Sequence, residues 1–225
     1  MGKRAPLIRL QEISFGYDST RDVLRKLSFT FSEGDRVGLT GPNGSGKTTL
    51  FHTILGLLKP REGEIEIFGK GMHEEADFRE ARGRIGLLFQ DPNDQLFCPT
   101  VAEDVAFGPL NLGKPYDEAQ EIVRETLETL GLAGFEDRVT FKLSDGERRL
   151  VSLATVLAMN PEVLLLDEPT TGLDEEKTER IIRVLNRSAK SYVIISQDKT
   201  LLARTTRFTY RMASGKLEEL TESYP

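Results

Sequence analysis

The period of the apolar positions changes along the chain, and each change marks an element. Leu7–Phe15 and Leu27–Phe31 alternate apolar and polar residues and predict two early strands. Arg36-Val-Gly-Leu-Thr40 reads as a short buried strand, and behind it Leu50, Ile54, Leu57 and Leu58 recur at helical spacing. Gly63-Glu-Ile-Glu-Ile-Phe-Gly69 alternates cleanly and predicts a half-exposed antiparallel strand. Arg84–Gln90 is mostly apolar, a buried strand that ends on a polar glutamine. Helical periods then follow closely at Val101–Leu112, Tyr116–Leu130 and Ser144–Met159. No strand pattern falls between about residues 91 and 162, so the expectation is a helical subdomain at about 91–160, inserted into an α/β core. Val163–Leu166 is a continuous apolar run, as in a central parallel strand covered on both faces. A helix over Glu175–Ser188, a strand at Tyr192–Ile195, and a hairpin of Phe208–Met212 and Lys216–Leu220 around Ser214-Gly215 close the pattern.

Between the buried strand at Arg36–Thr40 and the helical period stands Gly41-Pro-Asn43-Gly44-Ser45-Gly46-Lys47-Thr48, a full match to G-x-x-x-x-G-K-[ST], with Thr49 next. Strand, loop and helix are the context this motif needs. Its glycines let backbone N–H groups turn inward around a phosphate. Lys47 then reaches the β- and γ-phosphates, the Thr48 hydroxyl ligates Mg²⁺, and the helix N-terminus adds its dipole. The chain is therefore expected to bind a nucleoside triphosphate. Tyr17, in the polar turn Gly16–Ser19, can stack on a nucleobase or simply pack the turn.

Asp167-Glu168 end the apolar run, at the carboxyl end of a strand, where open α/β sheets place their ligands. With a phosphate loop upstream, Asp167 is read as holding the Mg²⁺ water shell and Glu168 as the base for an attacking water. Leu143-Ser144-Asp145-Gly146-Glu147 opens a helix. Ser144 with Glu147 is a capping box, and a helix N-terminus with a hydroxyl and free N–H groups is also an anion site; spacing does not decide between them. Asp91–Phe97 is turn-rich and ends in Leu96 and Phe97, apolar residues expected to be exposed and to receive an amphipathic helix of a partner.

Composition narrows the classes. The 225 residues suit one domain with a subdomain, and a formal charge of -6 with pI near 5.2 argues against a nucleic-acid surface. Cys98 is the single cysteine, which excludes an internal disulfide framework and fits a reducing compartment. No apolar run approaches the length of a membrane span, and Met1–Pro6 has no apolar segment behind its basic residues.

Together these residues resemble the ATP-binding subunit of an ATP-binding-cassette transporter, over nearly the whole chain. Gly41–Thr48 is similar to the Walker A loop, Val163–Asp167 to the Walker B strand, Glu168 to the catalytic glutamate, and Gly172-Leu-Asp174 to the D-loop. Gln90 matches the Q-loop glutamine, which in the family contacts Mg²⁺ and senses the transmembrane partner. Leu143–Glu147, with Ser144 and Gly146, resembles the signature motif, and Tyr17 takes the place of the adenine-stacking aromatic. More narrowly, Phe89–Phe97 followed by Glu103–Pro109 resembles the cobalt and energy-coupling-factor importer ATPases. The resemblance implies an α/β P-loop (RecA-like) ATPase core with an antiparallel β-subdomain and an inserted helical subdomain, in one cassette spanning 1–225. It implies ATP and Mg²⁺ as ligands, a head-to-tail dimer closed by ATP, transmembrane transporter subunits as partners, and a peripheral location on the cytoplasmic side of the cell membrane. Two residues depart from the family: Gln197 stands where a histidine bonds the γ-phosphate, and Asp145 replaces the first signature glycine. In a homodimer both composite sites would carry both departures, which favours a heterodimer with a related ATPase. A nucleotide-dependent clamp with little turnover is the alternative within the family. The rival outside transport is a soluble cassette ATPase, although the fused second cassette or long coiled coil usual there is absent from this sequence.

Overall fold

In the computed structural model, residues 5–18, 20–188 and 191–220 are described; Met1–Arg4 and Ser19, which entered the sequence reading, lie outside them. The chain divides into two units, Met1–Arg82 with Lys190–Pro225, and Gly83–Ala189.

In the first unit, early alternation becomes an antiparallel sheet. Strand β1 (Pro6–Phe15) pairs with β2 (Leu24–Ser32) on one side. In β2, Leu24, Leu27, Phe29 and Phe31 are buried and the residues between are exposed, the burial pattern of a sheet with one wet face. The register sets Ile8 against Phe31 and Leu10 against Phe29. A second set of strands in this unit is mostly parallel. Strand β3 (Arg36–Thr40) lies between β8 (Tyr192–Ile195) and β9 (Phe208–Ala213), and β9 turns back into β10 (Lys216–Leu220). On the far side of β1 lies β4 (Glu62–Ile67), which pairs in turn with the two-residue β5 (Lys70–Gly71).

Helix α1 runs only from Lys47 to Ile54, so the predicted helical residues Leu57 and Leu58 fall beyond it. The reason is local: Gly56 adopts φ 69°, a left-handed stop, and the N–H groups of Leu57 and Leu58 bond back to the carbonyl of His52. Two helices carry no apolar period and escape the pattern. Helix α2 (Glu75–Arg82) buries only Ala81, and α7 (Lys199–Thr205) is seven residues long, started by Asp198 accepting from the N–H groups of Thr200 and Leu201.

In the second unit, β6 (Ile85–Leu88) pairs in parallel with β7 (Val163–Asp167), with Leu87 opposite Leu165. The apolar segment expected to reach Gln90 thus leaves the strand two residues earlier. Helices α3 (Val101–Asn111), α4 (Tyr116–Thr129) and α5 (Asp145–Leu157) follow the predicted order, and α6 spans Glu175–Ser188. Complete capping boxes begin α3 (Thr100 with Glu103) and α5 (Ser144 with Glu147). The fold is α/β with an antiparallel sheet and a helical part, as the sequence implied.

Candidate functional site

The candidate residues fall into two sets, one in each unit. In the first, β3 ends at Thr40 and the chain turns through Gly41–Gly46 into α1. Gly41 has φ 141°, and a Cβ there would stand 2.3 Å from the carbonyl oxygen of Met212, so the loop lies too close to β9 for any side chain. Gly46 caps α1 at φ 107° with no side-chain bond, and the first turn holds no acidic residue. That leaves a helix N-terminus suited to an anion. Lys47 is 8% exposed, and its ammonium donates to the carbonyls of Gly41 at 2.8 Å and Pro42 at 3.1 Å. The Ser45 hydroxyl oxygen is buried without a hydrogen-bond partner. A buried orphan hydroxyl and a folded-back ammonium on one Gly-rich loop are the features a phosphate group satisfies. Asn43 and Gly44 are exposed on the same loop, while Thr48 is half-buried.

Tyr17 sits beside this loop. It is 67% exposed, stands edge-on to Phe15 with ring centroids 5.1 Å apart, and its hydroxyl meets that of Thr49, in the first turn of α1, at 3.1 Å. The ring is therefore held at both ends with area left for stacking. Gln197 also reaches the loop, donating from Nε2 to the Gly41 carbonyl and accepting from the Thr40 hydroxyl at 3.3 Å.

In the second unit, β7 delivers Asp167 buried at its end and turns at Glu168, whose φ of 49° marks a sharp change of direction before the buried Pro169. Glu168 itself is half-exposed and accepts from the Thr171 hydroxyl at 3.4 Å. Gln90 is exposed, beyond the end of β6. Ser144 is the N-cap of α5: its hydroxyl bonds Glu147 at 2.8 Å, and its N–H holds the Glu147 carboxyl below the usual range. Gly146 faces Leu173, which a Cβ would approach to 3.3 Å. The Asp145 side chain is 86% exposed and paired with Arg148. Among the described residues, no group of three or more His, Cys, Asp or Glu is placed to hold a metal. The single buried carboxylate of Asp167 suits Mg²⁺, which usually keeps several waters and takes one or two carboxylates beside substrate phosphates.

The sequence reading missed Arg149. Only 4% exposed, it reaches from α5 to the carbonyls of Phe89 at 2.8 Å and of Gln90. Burial pulls its pKa down, against the charges of Asp167, Asp91 and Glu168. The available signal was a charged residue on the same helical face as Leu153 and Val156. Gln95 was missed as well; it accepts from Phe89 N–H at 3.1 Å and donates to the Ser152 carbonyl at 2.9 Å and the Thr155 hydroxyl at 2.8 Å.

Comparison with known proteins gives the family. A family model described as ABC transporter matches residues 24–171. The chain is 43% identical over 215 residues to the energy-coupling factor transporter ATP-binding protein EcfA of Methanothermobacter thermautotrophicus, covering 94% of this chain and 69% of that protein. Among solved structures, cbiO1 from Clostridium perfringens, part of the ABC transporter complex cbiONQ, matches with TM-score 0.83 and 31% identity, over 95% of this chain and 87% of that one. The ATP-binding cassette MJ0796, solved as a post-hydrolysis dimer bound to ADP and Pi, matches with TM-score 0.88 and 25% identity, over 97% and 99%. The chain belongs to the ATP-binding-cassette (ABC) transporter family, as an ATPase subunit most like those of energy-coupling-factor and cobalt importers.

Proposed function

We propose that this chain powers an importer of the energy-coupling-factor type, of the cobalt/nickel or vitamin class, by ATP-driven closure of a head-to-tail dimer. The observation that carries the nucleotide site is the loop Gly41–Thr48, with its buried orphan hydroxyl at Ser45 and the Lys47 ammonium held on loop carbonyls. In this reading the loop N–H groups from Gly41 to Thr48, with Thr49 behind them, bind the phosphates, Lys47 neutralises their charge, and Tyr17 stacks on the base. Thr48, Gln90 and Asp167 are the residues that would hold Mg²⁺, which would supply positive charge to offset that of the phosphates. Glu168 orients and deprotonates water. Ser144 and Gly146 of one chain meet the nucleotide of the other. The cassette spans 1–225 with a helical subdomain at about 91–160, and it works from the cytoplasmic face of the membrane.

The importer reading rests on the likeness to EcfA and cbiO1 and on the segment after Gln90. Phe97 is 66% exposed and stands edge-on to the partly exposed Phe107, with centroids 4.8 Å apart. Leu96 is half-buried rather than exposed. Asp145 and Gln197 favour a heterodimer, in which each composite site carries one departure, and slow hydrolysis by the isolated chain.

Purification of a tagged chain from membranes tests this directly. Recovery of an integral membrane subunit together with a second, related ATPase is expected. Leu96→Ser with Phe97→Ser should weaken that recovery while sparing basal hydrolysis. Recovery of the chain alone would refute the importer reading, and lost hydrolysis with assembly intact would make Leu96 and Phe97 core residues rather than docking residues.

A further inference from the structure

Two side chains distant in sequence converge on one backbone oxygen. The Gly41 carbonyl accepts from Lys47 Nζ at 2.8 Å and from Gln197 Nε2, and its two lone pairs accommodate both. The other end of the Gln197 amide accepts from Thr40 Oγ1 at 3.3 Å. Gln197 therefore spans the last residue of β3 and the first residue of the phosphate loop. The backbone that carries it is tied to the same strand, since Ser196 N–H donates to the Leu39 carbonyl at 3.2 Å. On the opposite side, Gly41 is pressed against Met212. The loop's starting point is thus fixed from two directions.

We propose that Gln197 is a positioning residue of the phosphate loop, acting through the Gly41 carbonyl rather than on the γ-phosphate. The inference rests on the nucleotide site proposed above and gives Gln197 a different role from the family's histidine. Its physical content has two parts. The amide restrains the carbonyl from which the loop's N–H groups fan out. It also uses acceptor capacity on an oxygen that otherwise holds Lys47 more strongly, so the ammonium transfers more readily to phosphate. Both effects act on the β-phosphate as much as on the γ-phosphate, so ADP should feel Gln197 as strongly as ATP does.

Calorimetric titration with ADP and with the non-hydrolysed analogue AMP-PNP, both with Mg²⁺, separates the two roles. Gln197→Ala should weaken both ligands by the same factor, about three- to tenfold for one hydrogen bond. Gln197→Met, which keeps the length and loses the donor, should repeat that result. Thr40→Val, which removes only the second anchor, should give a smaller loss shared by both ligands. Gln197 is exposed, and an unchanged melting transition without nucleotide verifies that the variants are folded. Loss of AMP-PNP affinity with ADP unchanged would mean a γ-phosphate role and overturn the inference. Unchanged affinity for both ligands overturns it too, while leaving the nucleotide site standing. Failure of the unaltered chain to bind either ligand would overturn the nucleotide reading and this inference with it.

Discussion

Arg149 donates from Nη1 to the carbonyl of Phe89 at 2.8 Å, which ties the middle of α5 to the point where β6 gives way to the Gln90 loop. Its Nη2 takes the Gln90 carbonyl, its Nε is buried without a partner, and the carboxylates of Asp167, Asp91 and Glu168 surround it electrostatically. A buried cation so placed is costly to create and more costly to lose, because its removal leaves acidic neighbours uncompensated. Arg149→Ala should destabilise the chain by about 3 kcal/mol, a fall in melting temperature of roughly 6–12 °C at this size. Arg149→Lys should recover less than half, since one ammonium cannot reproduce the fork onto two carbonyls. A melting temperature within a degree or two of the parent in Arg149→Ala would show that the guanidinium contributes nothing.

Asp104 gives a pH-dependent prediction. On α3 it is buried, its Oδ1 accepts from the N–H groups of Phe97 at 3.1 Å and Cys98 at 3.0 Å, and its Oδ2 has no partner. Desolvation raises its pKa above the ordinary carboxylate value, although the two N–H bonds pull the other way. Partial burial, with Asp104 and Glu103 beside it, pushes the Cys98 thiol up to about 11, which keeps it a neutral thiol at pH 7. A carboxyl whose folded pKa is raised binds more protons in the native state. Stability is then lost as pH rises from the unfolded value through the folded one. Asp104→Asn keeps the acceptor for both N–H groups and removes the charge. The melting temperature of this variant relative to the parent should rise between pH 4 and pH 7, so any gap in its favour closes toward pH 4. A gap that widens on acidification would reverse the assignment.

The proposed nucleotide site predicts separable losses. Lys47→Ala removes the close cation from a multiply charged ligand, worth about 4 kcal/mol per charge at an effective dielectric of about 20 and 4 Å. ATP affinity should fall by at least about a hundredfold in calorimetry. Glu168→Gln keeps the shape of the side chain and removes the base. Turnover should fall by about 10²–10⁴ with binding intact, and ATP should trap a dimer visible on sizing. Unchanged binding in the first variant, or a second variant that hydrolyses normally, would contradict the roles given to these residues.

What the sequence made legible was whatever repeats at a fixed period or forms a contiguous motif. The order of the buried strands, the three helices between residues 101 and 157, and the loop at Gly41–Thr48 were all readable for that reason. Helix α2 was not, because it buries a single alanine and has no apolar stripe to detect. The end of α1 was misjudged because Leu57 and Leu58 keep helical spacing past a glycine whose left-handed φ stops the helix. Arg149 and Gln95 were invisible for another reason. Each acts on backbone groups tens of residues away, and neither spacing nor composition encodes such a pairing. Gln197 was read by position alone; its turn toward the Gly41 carbonyl appears only in three dimensions.

Asp145 carries the last prediction. In the family a glycine at this place lets the signature backbone approach the partner's γ-phosphate. A carboxylate about 5–6 Å from that anion would cost about 3 kcal/mol at an effective dielectric near 20. The structure argues for a much smaller penalty, because the side chain is 86% exposed and paired with Arg148, and exposed charges interact by about 0.2–1 kcal/mol. Asp145 also opens α5, where a negative charge is favourable to the helix dipole and glycine is a poor helix former. The two effects oppose each other in separate measurements. In a Glu168→Gln background, Asp145→Gly should tighten ATP-dependent dimerisation by roughly two- to fivefold. The same change should lower the monomer's melting temperature by about 1–3 °C, for a loss below about 1 kcal/mol. Tighter dimers from a less stable monomer would identify Asp145 as a charge tolerated for the helix at the expense of closure. Dimerisation that is unchanged or weaker would remove Asp145 from the reasons for favouring a heterodimer and leave Gln197 alone to support it.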